Sequence, residues 1–267
     1  PAYHAVGTGH VFARTGWEED ATWLGFISGP YTQSHAHHDQ GSFLFYRGDH
    51  LAYDANAGSH SGIRQEEEMH NLVRIVRGGE TVPQRAEQQP STTLALANDE
   101  AFSYFATDVA PVYADEQITS VVREILWLKP GILVIRDRIA AGGATAVYQL
   151  NVPTQPTVNG AEATAGALDL FVVEPAGANL DVVDYENDLP PDEQSMSGYR
   201  IDVPNSSGSG DRVFVTVLSI AGAATGASGD DEGVTIDLAG GGEATVTFDD
   251  GAIGGSFEMG EEGATFG

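Results

Sequence analysis

The sequence predicts an all-β protein: one domain over residues 1–267, built as a large antiparallel β-sandwich of two sheets. Three observations carry that prediction. Short segments rich in β-branched and aromatic residues follow one another along nearly the whole chain. They are separated by clusters of Gly, Pro, Ser, Asn and Asp, and the 33 glycines and 12 prolines suit many tight turns. Strands do not alternate with helical patterns, which argues against a parallel βα architecture. At 267 residues and 41% hydrophobic composition the chain is long enough and apolar enough to bury a sizeable core.

The elements are expected in this order. Val11–Arg14 and Ala21–Phe26 read as short strands split by the acidic turn Glu18-Glu19-Asp20. Gly29-Pro30 breaks the chain before a histidine run. Phe43–Tyr46, the turn Arg47-Gly48-Asp49-His50 and Leu51–Asp54 form a hairpin signal. Arg64–Met69 is a short helical candidate, His70–Arg77 a strand, and Gly78–Pro90 a surface loop. Strands are then expected over Thr92–Leu96, Ala101–Ala106, Ile118–Leu128, Ile132–Ile139 and Ala146–Val152, with Pro130-Gly131 as a tight connection. Leu168–Val173, Leu180–Tyr185, Tyr199–Val203, Arg212–Ile220, Val234–Leu238 and Ala244–Phe248 continue the series, with loops over Asn187–Met196 and Asn205–Asp211. The Gly- and Glu-rich close of the chain reads as a last hairpin with a frayed end over 255–267.

The chemistry concentrates in Ser34-His35-Ala36-His37-His38-Asp39-Gln40-Gly41-Ser42-Phe43. Imidazole and carboxylate are common ligands of a borderline metal. If the run is extended, His35 and His37 share a face and His38 points away. Asp54 returns beside His37 when the hairpin pairs from its turn outward, and His70 can supply a second imidazole. A His37, Asp54 and His70 trio leaves one tetrahedral position for water or a fourth ligand. Asp39 either orients an imidazole or caps a turn. His38 reads as a packing or hydrogen-bonding residue, His50 and His60 as solvated turn residues, and His4 and His10 receive no role.

These pieces, in their order and spacing, resemble the C-terminal β-domain of heparinase II/III-like polysaccharide lyases. The matching segments are Arg14-Thr15-Gly16-Trp17, Asp20-Ala21-Thr22-Trp23-Leu24, Gly29, the run from His35 to Phe43, Asp54-Ala55-Asn56-Ala57-Gly58 and His70-Asn71. Later echoes are Arg123-Glu124-Ile125-Leu126-Trp127 and Val134-Ile135-Arg136-Asp137. The resemblance implies β-elimination of uronate-containing glycans. It makes His35 the catalytic residue lining the cleft, and His37, Asp54 and His70 the ligands of a structural zinc. It also implies an N-terminal α/α-toroid supplying the rest of the cleft, of which this chain shows nothing, and a secreted, periplasmic or cell-surface location. Where the family often has a tyrosine near the cleft this chain has His60. Arg14 and Tyr31 are candidate contacts for a substrate carboxylate and leaving group; a structural role is the competing reading for Arg14.

The formal charge of −27, from 39 acidic against 12 basic residues, excludes a phosphate-backbone footprint and hence nucleic acid as a partner. Lys129 is the sole lysine. Two settings suit such acidity: a salt-loving or marine host, in which molar salt screens charges beyond about 3 Å, or an ordinary acidic secreted protein. The absence of cysteine rules out disulfides and thiolate zinc sites. No apolar run is long enough to span a bilayer. The start at Pro1-Ala2-Tyr3 suggests a processed or excised fragment. Two other functional classes remain open. One is a non-catalytic glycan-binding or self-assembling sandwich derived from the lyase fold. The other is a cupin-like metal enzyme, whose pattern wants a Glu where this chain has Gly41 or Ser42.

Overall fold

The computed structural model describes residues 1–29, 36–56, 65–85, 90–185, 197–205 and 211–267. Five strands open the chain as a meander: β1 (Ala2–Ala5), β2 (His10–Arg14), β3 (Thr22–Ile27), β4 (Phe43–Arg47) and β5 (Asp49–Ala52). A single 3-10 turn, Glu67–Met69, precedes β6 (Val73–Arg77) and β7 (Glu80–Thr81). Four long strands follow: β8 (Thr92–Asn98), β9 (Phe102–Asp108), β10 (Ser120–Leu128) and β11 (Ile132–Ala140). Next come β12 (Thr145–Val152), β13 (Thr157–Asn159), β14 (Glu162–Ala165), β15 (Leu168–Glu174), β16 (Asp181–Asp184), β17 (Tyr199–Asn205) and β18 (Arg212–Ile220). A second meander closes the chain: β19 (Ala224–Gly229), β20 (Gly233–Leu238), β21 (Glu243–Phe248), β22 (Gly255–Met259) and β23 (Glu262–Phe266).

The strands form four sheets, and every named pairing is antiparallel. The eight-stranded sheet, in the order β13-β14-β15-β18-β11-β10-β9-β8, lies at the centre. One face packs on the β1–β5 sheet and on the sheet β16-β17-β12-β6-β7 through a core that includes Phe26, Phe43, Phe45, Ile125, Trp127, Tyr148 and Phe214. The other face packs on β19–β23 through Tyr104, Leu126, Val134, Val217, Ile236, Val246 and Phe257. The expected all-β sandwich is present, and the closing meander adds a third layer to it. This explains why β10 and β11 read as continuous apolar runs: a strand covered on both faces needs apolar residues on both.

The two central strands also carry charge inside the protein. Their register sets Arg123 opposite Asp137 and Glu124 opposite Arg136. Successive strand residues face opposite ways, so each face of the central sheet receives one ion pair. Glu124 and Arg136 hold the β19–β23 layer: Glu124 accepts from the Gly254 amide at 2.9 Å, and Arg136 donates to the Ala252 carbonyl at 2.9 Å.

Several boundaries differ from the sequence expectation. Of the helical candidate at Arg64–Met69 the described part forms a 3-10 turn over Glu67–Met69 that no side chain caps, and Arg64 lies outside the described residues. The supposed loop after Gly78 contains β7, paired with β6. The expected frayed end is the hairpin β22–β23, in register from Gly255↔Phe266 to Met259↔Glu262, with Phe266 buried in the core. The strands β1, β13, β14 and β19 were not anticipated. Sequences such as Glu162-Ala163-Thr164-Ala165 and Ala224-Thr225-Gly226-Ala227-Ser228-Gly229 carry little intrinsic strand signal, and pairing with stronger neighbours holds them.

Candidate metal centre

Three separate stretches meet at one end of the β1–β5 sheet. The β4–β5 hairpin turns tightly at Gly48, whose φ of +68° suits glycine. It pairs Phe45 with Ala52, and the outgoing chain carries Asp54 back toward the start of β4. The segment 36–42, just before β4, carries His37. The 3-10 turn delivers His70 and Asn71 from the third direction.

His37, Asp54 and His70 each present a ligand atom, all within 4.8 Å of one another. The His70 Nδ1 and Asp54 Oδ1 lie 2.9 Å apart, and the His37 and His70 rings are 5.1 Å apart at 44°. His70 is fully buried, while His37 and Asp54 are half-buried. The His70 Nε2 is buried without a hydrogen-bond partner. Such an orphaned nitrogen is costly in a folded protein unless something binds it. Burial, and then the neighbouring His70, lower the pKa of His37 and favour the neutral, ligating form. At His70 burial opposes protonation, but the charge and hydrogen bond of Asp54 outweigh it and the pKa is raised. Tetrahedral ligands at about 2.0–2.1 Å from zinc stand about 3.4 Å from one another, a spacing near that of ligand atoms gathered within 4.8 Å. Two imidazoles and a carboxylate suit zinc or a similar borderline ion.

The surroundings fix this end of the fold. Asn71 is fully buried. Its Nδ2 donates to the carbonyls of Phe43 at 2.8 Å and Tyr53 at 3.2 Å, its Oδ1 accepts from the Asn151 amide at 2.6 Å, and its own amide donates to Ser42 Oγ at 3.0 Å. Arg123 reaches through from the central sheet. It donates to both oxygens of Asp137, at 2.6 and 3.0 Å, and through Nη1 to the carbonyls of Gly41 and Asn71 at 2.7 Å each. One buried guanidinium therefore ties the histidine loop to the His70-Asn71 turn. Gln149 Nε2 donates to the carbonyls of His70 and Glu67. Behind the loop, Gln40 and Gln84 exchange side-chain to main-chain bonds at 2.9 and 3.0 Å.

The other sequence candidates distribute as follows. His37 lies in a loop instead of on the expected strand, so its nearness to Asp54 comes from loop geometry and not from a shared strand face. His38 turns away to Glu67, at 3.1 Å, and that hydrogen bond raises its pKa. Asp39 forms no hydrogen bond to an imidazole among the described residues. Its carboxylate accepts from Gln40 Nε2 at 3.3 Å, its main-chain carbonyl accepts from Ser42 in a turn, and burial pushes its pKa up. Asp54 and Glu67 are the carboxylates that hold imidazoles. Arg14 stands over Trp17, 4.5 Å from the ring centroid, at the opposite end of β2 from His10. His50 is exposed and packs on Tyr46 and Tyr53. His35, Tyr31 and His60 lie outside the described residues.

Sequence reasoning did not anticipate the bracing by Arg123, Asn71 and Gln149. The signal for the first was the pair of charges inside otherwise apolar strands, at Arg123-Glu124 and Arg136-Asp137. Gln149 gave none.

No family model matches the sequence, and no curated protein matches it. Solved structures do. A heparinase III, the BT4657 gene product, superposes with a TM-score of 0.71 at 13% identity, covering 99% of this chain and 42% of its own. The heparan sulfate lyase HepC from Pedobacter heparinus gives 0.67 at 12% identity, with 99% and 42% covered. A further heparinase III gives 0.69 at 11% identity, with 100% and 42% covered. The chain thus has the β-fold of one part of these lyases and spans less than half of their length.

Proposed function

We propose that this chain is the β-domain of a polysaccharide lyase acting on uronate-containing glycans, with a structural zinc held by His37, Asp54 and His70. The observation that carries the reading is the meeting of those three side chains, from three separate segments, on a fold shared with heparinase III structures. When bound, the zinc would supply bracing between the histidine loop and the His70-Asn71 turn, by charge and ligation.

The chain's own residues suit one wall of a β-elimination cleft. Elimination removes the proton beside a uronate carboxylate and expels the 4-oxygen. It needs a base and an acid within reach and neutralisation of the carboxylate as the enolate develops. His35, two residues before His37, is the group we assign to that work, with Tyr31 as a further contact. The remaining groups would come from an α/α-toroid outside this chain. The role fits a secreted, periplasmic or cell-surface protein, and no described helix is long and apolar enough to cross a membrane.

Metal analysis tests the site. The purified chain is expected to hold one zinc per molecule, and His37→Ala and Asp54→Ala to hold far less, because losing one of three ligands removes much of the binding. A metal-free wild type after growth and dialysis in zinc would sink the reading. The isolated chain is expected to release little unsaturated uronate, read by ultraviolet absorbance.

A further inference from the structure

We propose that the outward face of the β1–β5 sheet is a platform on which the sugar rings of a carboxylate-bearing glycan lie flat, leading toward the histidine loop. The inference deepens the glycan reading above and rests on it for the ligand class, but it stands on different residues.

β2 turns Val11 and Ala13 into the core, so His10, Phe12 and Arg14 face outward. The register carries that face across the sheet. Tyr3 lies opposite Phe12 and Phe12 opposite Gly25. Arg14 lies opposite Trp23, Trp23 opposite Tyr46, and Tyr46 opposite His50. The rings pack on one another. Trp23 and Tyr46 stack at 5.4 Å and 28°, His10 and Phe12 at 6.1 Å and 9°. Trp17, 77% exposed, lies under the Arg14 guanidinium, and Tyr3 and Phe12 are 67% and 44% exposed. A contiguous aromatic surface of this kind marks an interaction site.

Gly25 shows how the rings are laid down. The atoms nearest to a Cβ there belong to the side chains of Trp23, Leu44 and Phe12 and lie at 3.5–3.8 Å, an ordinary contact distance, so steric room does not demand glycine. A glycine inside a strand gives up packing and conformational stability, and such a position often marks close approach by another group. Here the rings of Trp23 and Phe12 lean over it. Flat rings suit the C–H faces of pyranoses, whose slight positive charge meets the negative π-face.

Charge selects the chain type. Arg74, Arg77, Arg123, Arg136, Arg138 and Arg200 are all paired with carboxylates. Arg14 and Arg47, at the rim of the aromatic rows, form no ion pair among the described residues, and Arg14 Nε is buried without an acceptor. A carboxylate of the ligand completes them. The turn acids Glu18, Glu19 and Asp20 oppose a polyanion at long range, so ring stacking and the direct contacts of Arg14 and Arg47 with ligand carboxylates together supply the affinity. At its far end the platform reaches the histidine loop, for His10 pairs with Ile27, whose amide donates to the Ser42 carbonyl at 3.0 Å and whose carbonyl accepts from the Gly41 amide at 2.9 Å.

The test is calorimetric titration with a heparan sulfate decasaccharide, a hyaluronan decasaccharide and neutral cellohexaose at 0.15 M NaCl (about one Debye length of 8 Å). Wild type is expected to bind an acidic chain and to bind cellohexaose at least tenfold more weakly. Trp17→Ala and Phe12→Ala are expected to weaken acidic-chain binding at least tenfold, with melting temperature and metal content unchanged. His37→Ala is expected to lose metal and keep this binding within twofold. The proposal is overturned if the aromatic variants bind like wild type, if cellohexaose binds as well as the acidic chains, or if no probe binds. It is equally overturned if sedimentation shows a dimer that Trp17→Ala dissolves. Metal without platform binding sinks this inference alone; platform binding without metal sinks the zinc reading alone.

Discussion

Replacing Arg123 with methionine separates the two tasks that this side chain performs. It is one half of a fully buried ion pair, with both side chains 2% exposed, and it also donates to the carbonyls of Gly41 and Asn71. Removing one partner of a buried pair leaves an uncompensated charge, here Asp137, at a cost of about 3–5 kcal/mol. Each carbonyl stripped of its donor adds about 1 kcal/mol. The sum, about 5–7 kcal/mol, lowers the melting temperature by about 10–28 °C at about 2–4 °C per kcal/mol for a domain near this size. Arg123→Met/Asp137→Leu removes both charges and is expected to recover most of that loss, since an apolar pair of similar volume can replace a buried bridge. It is not expected to recover metal affinity. The histidine loop and the His70-Asn71 turn would still lack their common tie, and loss of such outer support weakens metal binding about 10–100-fold. Circular dichroism melts read the first effect, and competition with a chromophoric chelator reads the second. If Arg123→Met melts within a few degrees of wild type, the bridge is not structural. If the double variant binds zinc like wild type, the bracing argument fails.

Three other outcomes are expected. Asn71→Ala leaves two carbonyls and one amide without their present partner while its main-chain bond to Ser42 survives, and should cost about 3 kcal/mol in urea titrations; a change below about 1 kcal/mol would contradict the hub role. Arg136→Met should speed amide exchange selectively in β19–β23, whose Asp249 and Ala252 carbonyls that arginine holds; uniform acceleration through all layers would count against layer-specific anchoring. For a chain of formal charge −27, raising NaCl from low to molar concentration should raise the melting temperature by screening self-repulsion; a flat response would remove the case for a salt-adapted protein.

The strand content and the residues of the candidate site were determined by the sequence itself. Alternating or continuous runs of β-branched and aromatic residues, such as β10 and β18, are local signals, because strand propensity and burial act on the residues that carry them. The residues His37, Asp54 and His70 were also legible, through their chemistry and through the order of the motifs around them. Tertiary structure alone decided which backbone paired with which. Weak strands such as β14 and β19 exist because a neighbour offers hydrogen bonds, and residues far off in sequence provide that neighbour. The same holds for the site. Arg123 lies 82 residues from Gly41 and 52 from Asn71, and no local pattern announces a side chain that crosses from one layer to brace two loops in another. Packing fixed that contact, because a guanidinium buried between sheets must find every acceptor within its reach.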